Sequence, residues 1–239
     1  MNLAEYDGKY VSIRDTHGND FVGRASYGSV DLLESEWGLD EDGIFIEDVL
    51  LCNSQIESIE VIVPHGTAEL WTENLVLRRY RPEDAEQLYQ QLGTDPEMHQ
   101  YSGWNPYQTL EMTQDTVQHF IDSYQRDHSY SWVMDANGDD VVAGTIGAYD
   151  YHNGQIEVGF SVGRAWQGRG FATEALRTVL AYLTENEGIA CVTAWCAAEN
   201  IGSRRVLEKA GMKFVHTEKD GLMVDGRVYD KMIYEYRHS

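Results

Sequence analysis

The chain has 239 residues, of which 42% are hydrophobic and 11% aromatic, a composition that excludes an intrinsically disordered protein. Its formal net charge of −22 disfavours a nucleic-acid partner, which needs clustered Lys and Arg, and would attract a cationic substrate such as an amine. The charge would equally serve solubility alone. No apolar run is long enough for a membrane helix, and residues 1–10 lack the regions of a signal peptide, so we expect a cytoplasmic protein without a membrane partner.

The composition and the pattern of predicted elements change near residue 66. Residues 1–66 contain three Lys or Arg against 14 Asp or Glu, with short strand-like runs and no well-capped helix. We predict a small all-β domain here, whose order of elements resembles an Sm-like barrel. Such barrels often bind RNA, but this one is too acidic. An interaction or dimerisation module is the expected role, which leaves a homodimer possible.

Residues 67–239 predict an α/β (α+β) domain with a mixed, mostly antiparallel sheet, because tight turns join several neighbouring strands. The predicted strands are 73–80, 131–135, 141–149, 156–162, 190–197, 214–217 and 228–236, and the predicted helices are 82–92, 110–125, 173–184 and 203–210.

The most informative segment of this second part is the turn Gln167–Ala172, which joins a strand to a helix. Gly168 and Gly170 let backbone N–H groups approach a ligand, and the following helix N-terminus adds partial positive charge. A phosphate or pyrophosphate would suit such a site. The third glycine of a dinucleotide fingerprint and the lysine of a Walker loop are both missing, so these two nucleotide sites are disfavoured.

Two motifs resemble one family. The run W-Q-G-R-G-F-A-T-E-A from Trp166 to Ala175 is similar to the acetyl-CoA pyrophosphate loop of the GNAT superfamily of N-acetyltransferases. The run N-I-G-S-R-R-V-L-E-K-A-G-M from Asn200 to Met212 resembles a motif of the ribosomal-protein alanine N-acetyltransferase branch. The resemblance covers about residues 70–237. It implies a GNAT-type sheet flanked by helices, with acetyl-CoA as the acetyl-donor cosubstrate.

The resemblance also implies a cofactor site. Backbone amides from Gly168 to Ala172 would hold the pyrophosphate, and the strand carrying Phe160 and Val162 would pair with the pantetheine arm. The residues implied are Phe160, Val162, Gln167, Gly168, Arg169, Gly170, Phe171, Ala172, Asn200 and Ser203. Asn200 would bond the arm and Ser203 would lie near the thiol. For Arg169, phosphate contact and a solvated loop charge stay equally open.

Acetyl transfer to an amine needs a neutral nitrogen, so a carboxylate near the thioester would take the amine's proton. Glu157, on the strand that flanks the cofactor, is our candidate base, although a solvent-facing strand residue is the alternative. Many GNAT enzymes place a Tyr seven residues after the Asn to protonate the leaving thiolate. Here that position is Leu207, so Ser203 or water would have to substitute.

The acceptor would enter past the loop Tyr101–Tyr107, with Trp104, Tyr107 and Tyr149 as candidate contacts, because aromatic faces attract cations. Packing of Trp104 and Tyr107 on the core is the alternative. The resemblance implies an N-acetyltransferase that acts on a protein N-terminus, a small-molecule amine or a lysine by direct attack in a ternary complex. A catalytically inert acetyl-CoA-binding scaffold is the competing reading, favoured by Leu207.

We expect no metal site. The eight histidines are scattered without ligand spacing, and Cys191 and Cys196 lie on opposite faces of a predicted strand. Cys52 and these two are expected to be buried, reduced thiols.

Overall fold

The computed structural model describes residues 1–46, 48–62, 65–102 and 107–237. The chain divides into two units, Met1–His65 and Gly66–Ser239, each with its own hydrophobic core. Among the described residues, no helix is both long and apolar enough to cross a bilayer.

The first unit contains one antiparallel sheet in the order β4-β3-β2-β1-β5. Its strands are β1 (Tyr10–Asp15), β2 (Asp20–Gly28), β3 (Gly43–Ile46), β4 (Val49–Cys52) and β5 (Ile56–Val61). Val11, Ile13 and Ile44 are buried in its core. Within the described residues β4 and β5 are the two edges of this sheet and do not pair, so the expected barrel is not closed there.

This unit also contains a helix that was not predicted, α1 (Val30–Trp37). The Ser29 hydroxyl accepts a bond from the Leu32 backbone N–H at 3.4 Å, and Gly38 ends the helix at φ +69°. Both are recognised caps. The expectation of no well-capped helix in residues 1–66 was wrong, because the acidic run from Glu34 to Asp42 is typical of a loop.

The second unit is built on an eight-stranded sheet in the order β12-β13-β11-β10-β9-β8-β7-β6. Its strands are β6 (Leu70–Trp71), β7 (Leu75–Arg78), β8 (Tyr130–Ala136), β9 (Val142–His152), β10 (Gln155–Val162), β11 (Cys191–Ala197), β12 (Lys213–Val224) and β13 (Arg227–Tyr236). Strands β10 and β11 are parallel and the other neighbouring pairs are antiparallel. The predicted mixed α/β fold is confirmed.

In the described part of this unit, the helices that flank the sheet are α2 (Asp84–Leu88), α3 (Leu110–Ser123), α4 (Phe171–Glu185) and α5 (Ile201–Ala210). One helix was predicted over 82–92. The structure has α2 in the first part of this range, followed directly by a π-helical turn, Tyr89–Gly93. Helix α4 buries the side chains that recur every three or four residues, which gives it one apolar face against the sheet. These are Phe171, Ala175, Leu176, Val179, Leu180 and Leu183.

Strand β12 is three times longer than the predicted strand 214–217. Eleven of its twelve residues are exposed or half-exposed, and only Val224 is buried. An edge strand that covers no core carries no alternation of apolar and polar residues, so the pattern could not reveal its length.

A buried ion triad ties the start of α2 to the sheet. The Arg78 guanidinium donates to Asp84 at 2.8 Å and 2.9 Å and to Asp135 at 2.9 Å. All three side chains are at most 5% exposed. The paired charges compensate for their lost hydration, and removing Arg78 would leave two buried carboxylates unpaired.

Candidate active site

The site lies where two central strands separate. Strands β10 and β11 pair at Gln155, Ile156 and Glu157, opposite Cys191, Val192 and Thr193. Beyond Glu157 the register ends, although β10 continues to Val162 and β11 to Ala197, and this whole stretch is described. The gap leaves strand backbone that an extended, amide-containing ligand could pair with.

The glycine turn stands at the end of this gap. Gly168 has φ +78° and Gly170 has φ +92°, and a Cβ at either position would meet nothing within 4 Å. Over the described chain, no backbone N–H from Gly168 to Ala172 donates to another protein group, whereas Thr173 and Glu174 both donate to the Gly170 carbonyl. Unpaired donors at the N-terminus of a 15-residue helix fit a pyrophosphate.

Side chains of the turn hold it in place. Gln167 Nε2 donates to the Val162 carbonyl at 3.1 Å, which fixes the turn to the end of β10. Phe171 stacks on Trp166 with ring centroids 5.8 Å apart, and the Arg169 guanidinium lies 4.8 Å from the Trp166 ring centroid. Arg169 is therefore placed beside the turn, where both its predicted roles remain possible.

The one acid in the first turn of α4 points away from this anion site. Glu174 accepts bonds from the Asn74 backbone N–H at 2.7 Å and the Asn74 side-chain amide at 3.0 Å. Burial acts to raise the pKa of Glu174, but bonds from Thr72 and Asn74 outweigh it and lower the pKa. The carboxylate stays charged and engaged with the β6–β7 turn.

Asn200 and Ser203 lie at the start of α5, just after β11. Asn200 caps the helix, since its Oδ1 accepts the Ser203 backbone N–H at 3.0 Å, and this leaves the amide NH₂ as a donor. Leu207, one helical turn further on, is 1% exposed and packs in the core. That position therefore supplies no hydroxyl group.

Glu157 is the last residue of β10 that pairs with β11, where it lies opposite Thr193, and it lies opposite Tyr149 on β9. It borders a pocket of about 310 Å³ whose other lining residues are Asp150, His152, Asn153, Gln155, Ile156 and Thr193. Burial raises the pKa of this carboxyl above its ordinary value. A half-buried carboxylate of raised pKa beside a pocket is the arrangement expected of a general base.

Two of the three predicted acceptor contacts lie within the described residues, and their surroundings differ. A Cβ at Gly159 would lie 2.6 Å from the Tyr149 hydroxyl, so this ring crosses β10 beside Glu157. Tyr107 is 5% exposed and belongs to the core cluster that contains Tyr80. Its role as an acceptor contact stays a prediction. Trp104 lies outside the described residues.

Known proteins share this architecture. The family model described as "Acetyltransferase (GNAT) domain" matches residues 74–213, more than half of the chain. The chain belongs to the GNAT superfamily. It is an N-acetyltransferase by this membership, and acetyl-CoA is the acetyl donor of the family.

Relatives of this GNAT enzyme include an uncharacterized N-acetyltransferase, p20, from Bacillus licheniformis, 28% identical over 70% of this chain and 97% of that protein. The [ribosomal protein uS5]-alanine N-acetyltransferase of Escherichia coli is 30% identical over 41% of this chain and 47% of that protein. A solved ribosomal L7/L12 α-N-protein acetyltransferase in complex with coenzyme A has a TM-score of 0.64 at 19% identity, covering 70% of this chain and 95% of that one.

Two side chains beside the candidate site were not predicted from the sequence. Trp195 Nε1 donates to Glu157 Oε1 at 2.9 Å, and the Lys231 ammonium lies 5.0 Å from the Trp195 ring centroid. Alternation along β11 puts Trp195 on the same face as Thr193, but a tryptophan in a strand ordinarily indicates core packing. Nothing in the sequence shows that Lys231 on β13 reaches it.

The cysteines lie outside this chemistry. Cys52, Cys191 and Cys196 are buried and free, as predicted. Burial raises the pKa of the Cys196 thiol to about 11, so it is not a nucleophile at neutral pH. Among the described residues, no three His, Cys, Asp or Glu side chains cluster in a way that could hold a metal ion.

Proposed function

We propose that this GNAT enzyme acetylates the α-amino group of a protein or peptide N-terminus by direct attack, with both substrates bound. Glu157 carries the proposal, because it stands between the gap that would hold the donor and the pocket that would hold the acceptor. The Escherichia coli relative acts on an alanine of a ribosomal protein, which supports this acceptor class. A small-molecule amine is the second acceptor class, since a pocket of this volume also fits one.

The proposed donor site uses the backbone. The free N–H groups from Gly168 to Ala172 would hold the pyrophosphate, and the unpaired edge of β10 from Phe160 to Val162 would bond the pantetheine arm. Asn200 would donate its side-chain amide to the same arm, with Ser203 near the thiol. Acetyl-CoA supplies an activated acyl carbon when it is bound there.

Glu157 would act on the acceptor. An ammonium group has no free electron pair, so the carboxylate takes one proton from the amine, directly or through water. The nitrogen then forms the amide bond as the carbon–sulfur bond breaks, and the second proton that it loses passes to the departing thiolate or to water. The thiolate needs no dedicated acid, because an ordinary thiol pKa near 8.5 makes it a tolerable leaving group. This accounts for a buried Leu207 in an active enzyme.

Acceptor-dependent thiol release tests the activity. We expect release of coenzyme A from acetyl-CoA with peptides that carry a free N-terminal amine, and no release with the same peptides blocked by N-acetylation. Small amines in a parallel series separate the two acceptor classes. Binding of acetyl-CoA without release for any acceptor would favour the inert scaffold instead.

Replacement of the base tests its role. Glu157→Gln should lower kcat by about 10²–10⁴-fold near neutral pH, the usual contribution of a general base. The loss should shrink at high pH, where the acceptor amine loses its proton unaided. Affinity for acetyl-CoA should stay unchanged, and an unchanged pH–rate profile would show that another group is the base.

For residues 1–65 we propose an interaction module of Sm-like type. Pairing of β1 with both β2 and β5 is the feature that supports the resemblance. Its excess of acidic residues suits a basic partner or a basic acceptor protein. Dimerisation is the alternative, and sedimentation of the full chain distinguishes the two.

A further inference from the structure

The side chains that surround Glu157 form an ordered set around one tryptophan. Trp195 lies two residues beyond Thr193 on β11, and Thr193 is the residue that pairs with Glu157. The indole N–H donates to Glu157 Oε1 at 2.9 Å. One of the two carboxylate oxygens is thereby held by a neutral group that cannot titrate.

A cation lies on the face of the same ring. The Lys231 ammonium is 5.0 Å from the ring centroid of Trp195 and 3.8 Å from Glu218 Oε2, and its side chain is 24% exposed. The ring therefore has a carboxylate at its N–H edge and an ammonium over its face. A positive charge there strengthens an indole N–H as a donor and attracts the carboxylate through space.

The main influences on the pKa of Glu157 each have a clear direction. Burial raises the pKa of Glu157, the bond from Trp195 lowers it, and the charge of Lys231 lowers it. Asp150 on β9 raises it again by repulsion, and the Tyr149 hydroxyl lowers it. Trp195 and Lys231 thus oppose the two influences that would leave the carboxyl protonated.

We propose that Trp195, with Lys231 over its ring, is the positioning residue that aims the Glu157 carboxylate at the pocket and keeps it ionised for proton transfer. The proposal rests on the proposed function, in which Glu157 is the base. An indole serves better here than a directly bonded Lys or Arg. A cation in contact would weaken the base much further and would repel a cationic acceptor.

The test uses the full-length protein with Trp195→Phe, which keeps a ring under Lys231 and removes the N–H. Trp71→Phe is the matched control. Trp71, on β6, also donates its Nε1 hydrogen to a carboxylate, that of Glu69, at a distance of 2.7 Å. Carboxyl ¹³C chemical shifts of labelled glutamates are followed against pH, and the Glu157 signal is assigned by its loss in Glu157→Gln. This readout needs no activity, so it remains informative if no acceptor is found.

We expect Trp195→Phe to move the Glu157 titration to higher pH and to leave acetyl-CoA affinity intact. The rate with an N-terminal peptide should fall about 3- to 10-fold on the acidic side and approach the wild-type rate at high pH, as the net contribution of one typical hydrogen bond predicts. Lys231→Met should move the Glu157 titration and the acidic limb of the rate profile in the same direction as Trp195→Phe. Trp71→Phe should change neither the titration nor the rate profile. An unmoved Glu157 titration overturns the proposal, as does a moved titration with an unmoved acidic limb.

Discussion

At the level of single residues, the proposed chemistry depends mostly on one side chain. Glu157 is held by Trp195 and faces Tyr149, yet it remains half-buried beside a pocket. An ionised carboxylate in such surroundings has lost part of its hydration, which costs folding free energy. Catalytic usefulness and stability are therefore opposed at this position.

That opposition predicts a stabilised variant. Because the pKa of Glu157 is raised in the folded protein, the folded state binds this proton more tightly than the unfolded state does, and stability falls as pH rises through the raised pKa. Glu157→Gln removes this loss and keeps an oxygen that can accept from Trp195. Its Tm should exceed the wild-type value at neutral and higher pH, where the wild-type carboxyl is ionised. Calorimetry from pH 4 to 9 should show the two curves converging at low pH, and parallel curves would contradict this.

At the level of elements, the decisive one is the glycine turn before α4. Gly170 combines a φ of +92° with empty space where a side chain would project. The backbone requires glycine there and the space is where the pyrophosphate would bind. A methyl group at Gly170 should therefore damage both conformation and binding.

Gly226 in the β12–β13 turn allows the two effects to be separated. It has φ +76° and the same empty surroundings, but lies outside the proposed donor site. Gly170→Ala and Gly226→Ala should each lower stability by about 1–2 kcal/mol. Only Gly170→Ala should weaken acetyl-CoA binding, by at least about tenfold in titration calorimetry. Equal affinities in the two variants would place the pyrophosphate elsewhere.

Elements of regular pattern could be predicted from the sequence and others could not. The alternation in β10 and the glycine spacing before α4 predicted both elements and the turn between them. The length of strand β12 was underestimated because the strand covers no core. Helix α1 was not predicted because acidic residues, typical of a loop, occur at its C-terminal end. The bond from Trp195 to Glu157 depends on the register of β10 with β11, which no local pattern encodes.

At the level of the whole molecule, the two units have separate cores and the same formal net charge of −11 despite unequal length. The family match begins at residue 74, beyond the first unit. The proposed donor site is built entirely from residues 157–203 of the second unit. Acetyl-CoA binding should therefore not depend on the first unit.

Deletion of residues 1–65 tests this independence. We expect the shortened chain to bind acetyl-CoA within about twofold of the full-length affinity, and acetyl-CoA should raise the Tm of both, as a ligand of the folded state does. Turnover with a short N-terminal peptide should be retained, whereas turnover with a basic protein acceptor should fall. Collapse of acetyl-CoA affinity, in a shortened chain that still shows a cooperative thermal transition, would show that the two units share a site.

The separation of β10 from β11 also has a kinetic signature. Backbone amides within a paired sheet exchange their hydrogens with solvent slowly, whereas those of β10 that point into the gap have no strand partner beyond Glu157. Although β10 lies in the interior of the sheet, its amides that face the gap should exchange with deuterium as fast as those of an edge strand. Donor binding should then slow exchange at alternate residues of a single strand, as if the ligand were a ninth strand in the middle of the sheet.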